Sequence, residues 1–191
     1  MRPTDVLKNE HRIIERMLRI LFTASKKMQK GEEVDPQIFL KAVDFVRNFA
    51  DKCHHGKEED NLFPAIEKQG FPREGGPIGM MLIEHEEGRA HIRDLETAVK
   101  KYEQGDRSPQ TKANITGHAI GYAQLLTDHI QKEDTILYDI ADHVIPPAEQ
   151  DRLIKVFDEV EERLMGNGRH EAYLQLVDEL EKAVQQTPAR A

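Results

Sequence analysis

Apolar residues recur at intervals of three and four along most of this chain, as Ile14, Leu18 and Leu21 do in one stretch and Phe39, Val43, Val46 and Ala50 in the next. That interval returns each side chain to one face of an α-helix and gives it a stripe to bury. Proline is favoured in the first helical turn and glycine just past the last, so the two mark helix ends. They predict one helix from after Thr4 to about Gln29 and a second from Asp35-Pro36 to about Gln69. A third runs from Gly75-Gly76-Pro77 to Gln104-Gly105, and a fourth from Ser108-Pro109 to Pro146-Pro147. Long helices joined by roughly four to eight residues pack as antiparallel neighbours. The expected fold is all-α, an up-down-up-down four-helix bundle over residues 1–145.

Two further stripes follow. Leu153, Val156, Phe157, Val160 and Leu164 form one, and Tyr173, Leu176, Val177, Leu180 and Val184 the other, around a Gly166-Asn167-Gly168 turn. Residues 146–191 are therefore expected to form a C-terminal helical hairpin that covers the bundle or a second subunit of a homodimer.

The chain also repeats itself weakly. Glu10-His11 matches Glu84-His85, and the stretch from His54 to Phe63 matches that from His129 to Tyr138. His11 precedes His54 by 43 residues, and His85 precedes His129 by 44. Each half thus offers one single histidine and one His-x-x-x-Glu, His54 with Glu58 and His129 with Glu133. A His and a Glu four apart stand one turn from each other on one helix face, about 6 Å up the axis. His11 lies 18 residues before Gln29 and His54 lies 18 after Pro36, so antiparallel packing sets both about 27 Å from the loop between them. The second half gives the same depth to within a residue. Four histidines and two glutamates then share one level of the bundle.

The remaining histidines fall elsewhere on regular helices. His55 is rotated by about 100° from His54, and His118 is roughly 16 Å along the helix from His129. His91, six residues from His85, points elsewhere around its helix, and His143 and His170 lie at or beyond the end of the fourth helix. These five are read as surface or hydrogen-bonded histidines, with His118 the one that lines a path into the bundle. Tyr122, two turns before His129, is placed to donate a hydrogen bond or an electron near the centre or to fill the core. Cys53 reads as a packed thiol, and the run Lys57-Glu58-Glu59-Asp60 mainly as a solvated helix face.

Composition narrows the chemistry. One cysteine among 191 residues excludes an internal disulfide and a thiolate zinc site. Any metal must be held by imidazole and carboxylate. A net charge of −8 without a cluster of basic residues argues against nucleic acid as a partner. The start of the chain lacks a targeting segment and no run of about 18 apolar residues occurs, so the expectation is a soluble, cytoplasmic protein with no membrane partner. Four imidazoles and two carboxylates able to bridge suit two first-row ions, iron first, with manganese or zinc as alternatives. Glu58 and Glu133 would bridge, with His11 and His54 on one ion and His85 and His129 on the other.

The residues Asn9-Glu10-His11, His54-His55-Gly56-Lys57-Glu58-Glu59 with Leu62-Phe63-Pro64, Glu84-His85-Glu86-Glu87 and His129-Ile130-Gln131-Lys132-Glu133-Asp134 together resemble the hemerythrin-like (HHE cation-binding) domain family. The resemblance implies a bundle with a di-iron centre that meets O2, nitric oxide or peroxide. Oxygen-carrying members have a fifth histidine, in a His-x-x-x-His pair on the third helix, where this chain has Arg89. Its four His and two Glu are closer to the iron-sulfur repair proteins. Carriers use His-x-x-x-x-Asp on the fourth helix, which His129 and Asp134 satisfy formally, but the repeat pairs Glu133 with Glu58 and Asp134 with Glu59. A missing ligand predicts an open position and no lasting O2 adduct. Arg89 would either stabilise a bound anion or extend along the surface. The functional expectations are a binding, sensing or iron-handling module or, alternatively, an enzyme of cluster repair or of nitric oxide or peroxide reduction. A metal-free scaffold is disfavoured by the matched depth.

Overall fold

In the computed structural model, which describes residues 1–166 and 168–186, all regular structure among the described residues is helical. Helix α1 is Pro3–Gln29. Helix α2 covers residues 36–67; it is α-helical over Pro36–Phe45 and Phe63–Glu67 but winds in wider π-type turns over Val46–His55 and Glu58–Leu62. Helix α3 is Gly76–Glu103. Helix α4 covers residues 109–144 as Pro109–Lys132, a π-type turn at Glu133–Leu137, and Tyr138–Val144. Two further helices, α5 (Pro147–Met165) and α6 (Arg169–Gln185), complete the chain.

The ends follow local chemistry. Asp35 accepts a hydrogen bond from the Gln37 backbone N–H at 2.9 Å and Ser108 one from that of Thr111 at 3.2 Å, each with a proline next in line. Both satisfy amide donors that a first helical turn leaves without partners. Gly31 and Gly105, just beyond α1 and α3, take φ of +82° and +104°, which costs a residue with a side chain more than it costs glycine.

Helix α1 packs on α2 and α4, and α3 packs on the same two. Their apolar stripes make two separate clusters. One holds Leu18, Phe39, Phe49, Leu95 and Leu126 among others, and the second holds Leu7, Phe63, Met81, Leu137 and Tyr138. Between them lies a polar layer of His11, His54, His55, Glu58, His85, His129 and Glu133, none more than 4% exposed. Burying so many ionisable groups is costly unless they are paired or hold metal.

Helices α5 and α6 lie on α1 and α2 of their own chain. Leu153 and Phe157 join the second apolar cluster, and Tyr173, Val177, Leu180 and Val184 join the first. Arg16 of α1 bonds Glu181 at 2.7 Å and Asp178 at 2.5 Å. This cover changes the reading of the Lys57-Glu58-Glu59-Asp60 run. Lys57 and Glu58 are fully buried rather than solvated, and the Lys57 ammonium reaches Glu161 of α5 at 3.2 Å. Of the turn expected between α5 and α6, Asn167 lies outside the described residues.

Candidate metal centre

The buried layer divides into two groups of donor atoms. Nitrogens of His11 and His54 with oxygens of Glu58 and Glu133 form one, and nitrogens of His55, His85 and His129 the other, the atoms of each lying within 4.8 Å of one another. The carboxylates lie between the groups. Glu133 Oε2 is 3.2 Å from His11 Nε2 and 3.2 Å from His129 Nε2; Glu58 Oε2 is 3.7 Å from His54 Nε2 and 3.7 Å from His85 Nε2. Each glutamate therefore faces one imidazole of each group. Both Glu133 oxygens and Glu58 Oε2 are buried without a hydrogen-bond donor. Buried polar atoms are almost always partnered, so these orphaned oxygens mark where a cation fits.

The opposite nitrogen of every imidazole is held by a carboxylate. Nδ1 of His11 donates to Asp134 at 2.8 Å, that of His54 to Glu10 at 2.8 Å, that of His85 to Glu59 at 2.6 Å and that of His129 to Glu84 at 2.9 Å. His55 Nδ1 reaches Asp51 at 3.4 Å. A proton fixed on Nδ1 leaves the Nε2 lone pair for a metal, and the carboxylate makes that nitrogen more basic. Lysines anchor two of the carboxylates: Lys57 pairs with Glu10, and Lys132 with Glu84. The arrangement repeats the sequence repeat. Glu10 serves His54 as Glu84 serves His129, and the carboxylates following Glu58 and Glu133 reach across to the other half.

Burial opposes charging of the layer and its neighbours decide the outcome. Burial raises the Glu58 pKa well above the usual carboxylate range, helped by Glu133 close by. Glu133 is buried as deeply, but His129 and His11 outweigh that burial and hold its pKa well below normal. His54 falls to about 4 through burial. For His129 burial is overcome by Glu133 and Glu84, which raise it to about 9.

Two positions break the two-fold pattern. Where the second half has Ile130, the first has His55, and this residue corrects the sequence reading. His55 was expected to point away from His54; it is 4% exposed, stacks on His85 with ring centroids 3.8 Å apart, and stands with His85 and His129. The winding of α2 contributes. The π-type turns of Val46–His55 bond five residues apart and advance less per residue than the 100° of an α-helix, which narrows the angle between the adjacent histidines. The second break is Tyr138, whose repeat partner is Phe63. Its hydroxyl donates to Glu58 Oε1 at 2.5 Å and lies 3.3 Å from His11 Nε2, with the ring fully buried. Sequence reasoning missed Tyr138, although the Phe-to-Tyr change inside a repeat was the available signal.

A model of the hemerythrin HHE cation binding domain matches residues 2–141. The chain belongs to that family. Beyond the hemerythrin domain itself, the chain is similar to uncharacterized proteins of Mycobacterium tuberculosis and of Mycobacterium bovis. Each is 20% identical to it over 95% of this chain and 69% of the relative. No solved structure matches the chain significantly.

The other polar residues take roles beside the hemerythrin centre or away from it. Arg89 stands at the edge of the layer, to which α2 adds a fifth buried imidazole, His55. It is neither a free cation nor a surface arm: it bonds Asp51 at 2.8 Å and both Glu59 and Glu86 at 2.7 Å, thereby bracing the carboxylate that holds His85. His118 is half-buried, its Nδ1 3.4 Å from that of His91. His143 bonds the Asp139 carbonyl, and His170 pairs with Glu161 at 3.1 Å. Cys53 is a packed thiol, 3% exposed, whose pKa burial pushes up to about 11.

Proposed function

We propose that this hemerythrin-family chain holds two iron ions and binds a small diatomic molecule or peroxide beside them. The observation that carries the reading is the pair of glutamates with orphaned buried oxygens, each set between an imidazole of one group and an imidazole of the other. His11 and His54 would hold one ion and His55, His85 and His129 the other, with Glu58 and Glu133 shared. Manganese or zinc would suit the same donors, but five imidazoles and two carboxylates without thiolate fit iron well. The antiparallel four-helix arrangement over residues 1–145, with residues 146–191 as an added hairpin, belongs to the same proposal. So does a cytoplasmic location; among the described residues no helix is long and apolar enough to cross a membrane.

Two first-row ions held by these residues would supply Lewis acidity and redox electrons to a small ligand. The chain supplies the rest. The His11–His54 group has one imidazole fewer, which leaves room for a ligand on that side. Tyr138 stands there, its hydroxyl within reach of both Glu58 and His11. Leu7, Phe63 and Leu137 of the second apolar cluster keep water from it. A phenol at the ligand's position can give it a proton, and this favours turnover of peroxide or nitric oxide over reversible oxygen carriage. A short-lived O2 adduct is expected on that ground.

Metal analysis with stopped-flow spectroscopy of the reduced iron form tests the reading. Two irons per chain and a reaction with peroxide or nitric oxide that slows in Tyr138→Phe are expected. Fewer than about one metal per chain would sink it, and a long-lived O2 adduct in the unaltered protein would overturn the role given to Tyr138.

A further inference from the structure

His91 of α3 and His118 of α4 stand apart from the centre. His91 follows His85 by six residues, His118 precedes His129 by eleven, and neither joins the two groups of donor atoms. Helices α3 and α4 pack on each other, and both rings are half-buried at their contact. The Nδ1 atoms are 3.4 Å apart while the ring centroids are 5.6 Å apart, so the rings meet through these nitrogens. Gly121 of α4 makes the approach possible. A Cβ there would stand 2.6 Å from Cε1 of His91 and 3.2 Å from its Nδ1, so any larger residue would push the ring aside.

The contact is poor as a hydrogen bond and good as half of a coordination sphere. N–H donors usually come within about 2.7–3.2 Å of their acceptors, and 3.4 Å lies beyond that. Two imidazole nitrogens on one tetrahedral zinc ion, each at about 2.0–2.1 Å, stand roughly 3.3–3.4 Å apart. A square-planar ion would draw neighbouring nitrogens closer, to roughly 2.8–3.0 Å. The spacing therefore selects a tetrahedral ion. Among the described residues neither Nδ1 bonds a carboxylate, in contrast to the histidines of the centre. Burial and His118 hold the His91 pKa below its ordinary value, which keeps a lone pair on the ring at neutral pH. Asp94 and Glu87, about one turn to either side of His91 on α3, pull that pKa the other way, so both carboxylates are close by. Both are exposed, and neither makes an ion pair among the described residues.

We propose that His91 and His118 bind a zinc ion through Nδ1, with the carboxylates of Asp94 and Glu87 completing its tetrahedron. Imidazole and carboxylate are the ligands zinc takes where thiolate is absent. The ion would clip α3 to α4 at a place open to solvent. It requires no metal at the buried centre.

The test is calorimetric titration of the iron-loaded full chain with Zn2+, followed by elemental analysis for zinc and iron. Expected is one bound zinc per chain with no loss of iron. His91→Gln and His118→Gln should each lose that zinc, and Gly121→Ala, which keeps both imidazoles but displaces one, should weaken its binding. His143→Gln, at the other end of α4, should leave it unchanged. Helicity by circular dichroism and iron content show whether each variant has kept its fold. The exposed pair Asp94→Asn and Glu87→Gln leaves the packed rings in place and should weaken binding as well. No zinc bound by the unaltered chain overturns the proposal, as does uptake that survives either histidine variant or uptake matched by iron lost. The count compares each variant with the unaltered chain, so it reads this site whether or not the centre proves to hold iron.

Discussion

Each imidazole of the centre is useful to a metal only if its outward nitrogen keeps a proton, and at Glu10, Glu59, Glu84 and Asp134 a carboxylate enforces this. Burial opposes ionisation of Glu10 and Glu84, but the histidines and lysines beside them outweigh it and lower both pKa values, so both remain anions. Replacing Glu10 or Glu84 by Gln should weaken metal binding by roughly 10- to 100-fold, as loss of such partners does elsewhere. Competition with a chelator measures this; unchanged affinity would show the carboxylates to be bystanders. His55 gives a sharper case. If it is a ligand, His55→Ala should leave one ion tightly held and the other readily removed by dialysis, with helicity by circular dichroism unchanged. Two ions retained as firmly as before would return His55 to a packing role.

At the scale of elements, the winding of α2 matters most. The wider turns of Val46–His55 narrow the angle between His54 and His55, and both lie in the layer. Matching π-type turns at Glu58–Leu62 and Glu133–Leu137 begin at the two central glutamates; such turns often occur at functional sites. The C-terminal hairpin depends on different chemistry. His170 of α6 bonds Glu161 of α5, which raises the His170 pKa above its ordinary value, while the same bond, against burial, holds Glu161 at about 2. A raised histidine pKa means that the pair's stabilisation is fully present below about pH 6.5 and is lost as pH rises through the folded value. NMR titration should find His170 above 6.5, with amide exchange in α6 quickening as it deprotonates. A midpoint at or below 6.5 would contradict the pairing.

For the whole molecule, a polar layer sandwiched between two apolar clusters makes metal binding and folding one equilibrium. Without cations, the carboxylates of Glu58 and Glu133 sit in the core with unpartnered oxygens, a cost the folded state bears alone. Removing the metals with a chelator should lower Tm, and restoring iron should raise it in step with the concentration of free metal. A melting temperature indifferent to metal would mean that the layer is stable as drawn and that the ions contribute nothing to it.

The sequence by itself determined the helix ends, through Asp35-Pro36, Ser108-Pro109, Gly31 and Gly105, because capping and left-handed turns depend on neighbours in the chain. It also brought His11, His54, Glu58, His85, His129 and Glu133 to one level, since the residue counts from the loops match and the repeat marks both halves. Tertiary structure alone decided the rest. The pairs His11–Asp134 and His85–Glu59 join opposite halves of the chain, and no local spacing contains them. The inclusion of His55 shows only in the fold, where α2 changes its winding and His55 stacks on His85 with ring centroids 3.8 Å apart. Tyr138 becomes part of the site only because packing sets its hydroxyl against Glu58. Periodicity reports which face a residue occupies on an ideal helix; the real face, and what stands opposite, are settled where helices meet.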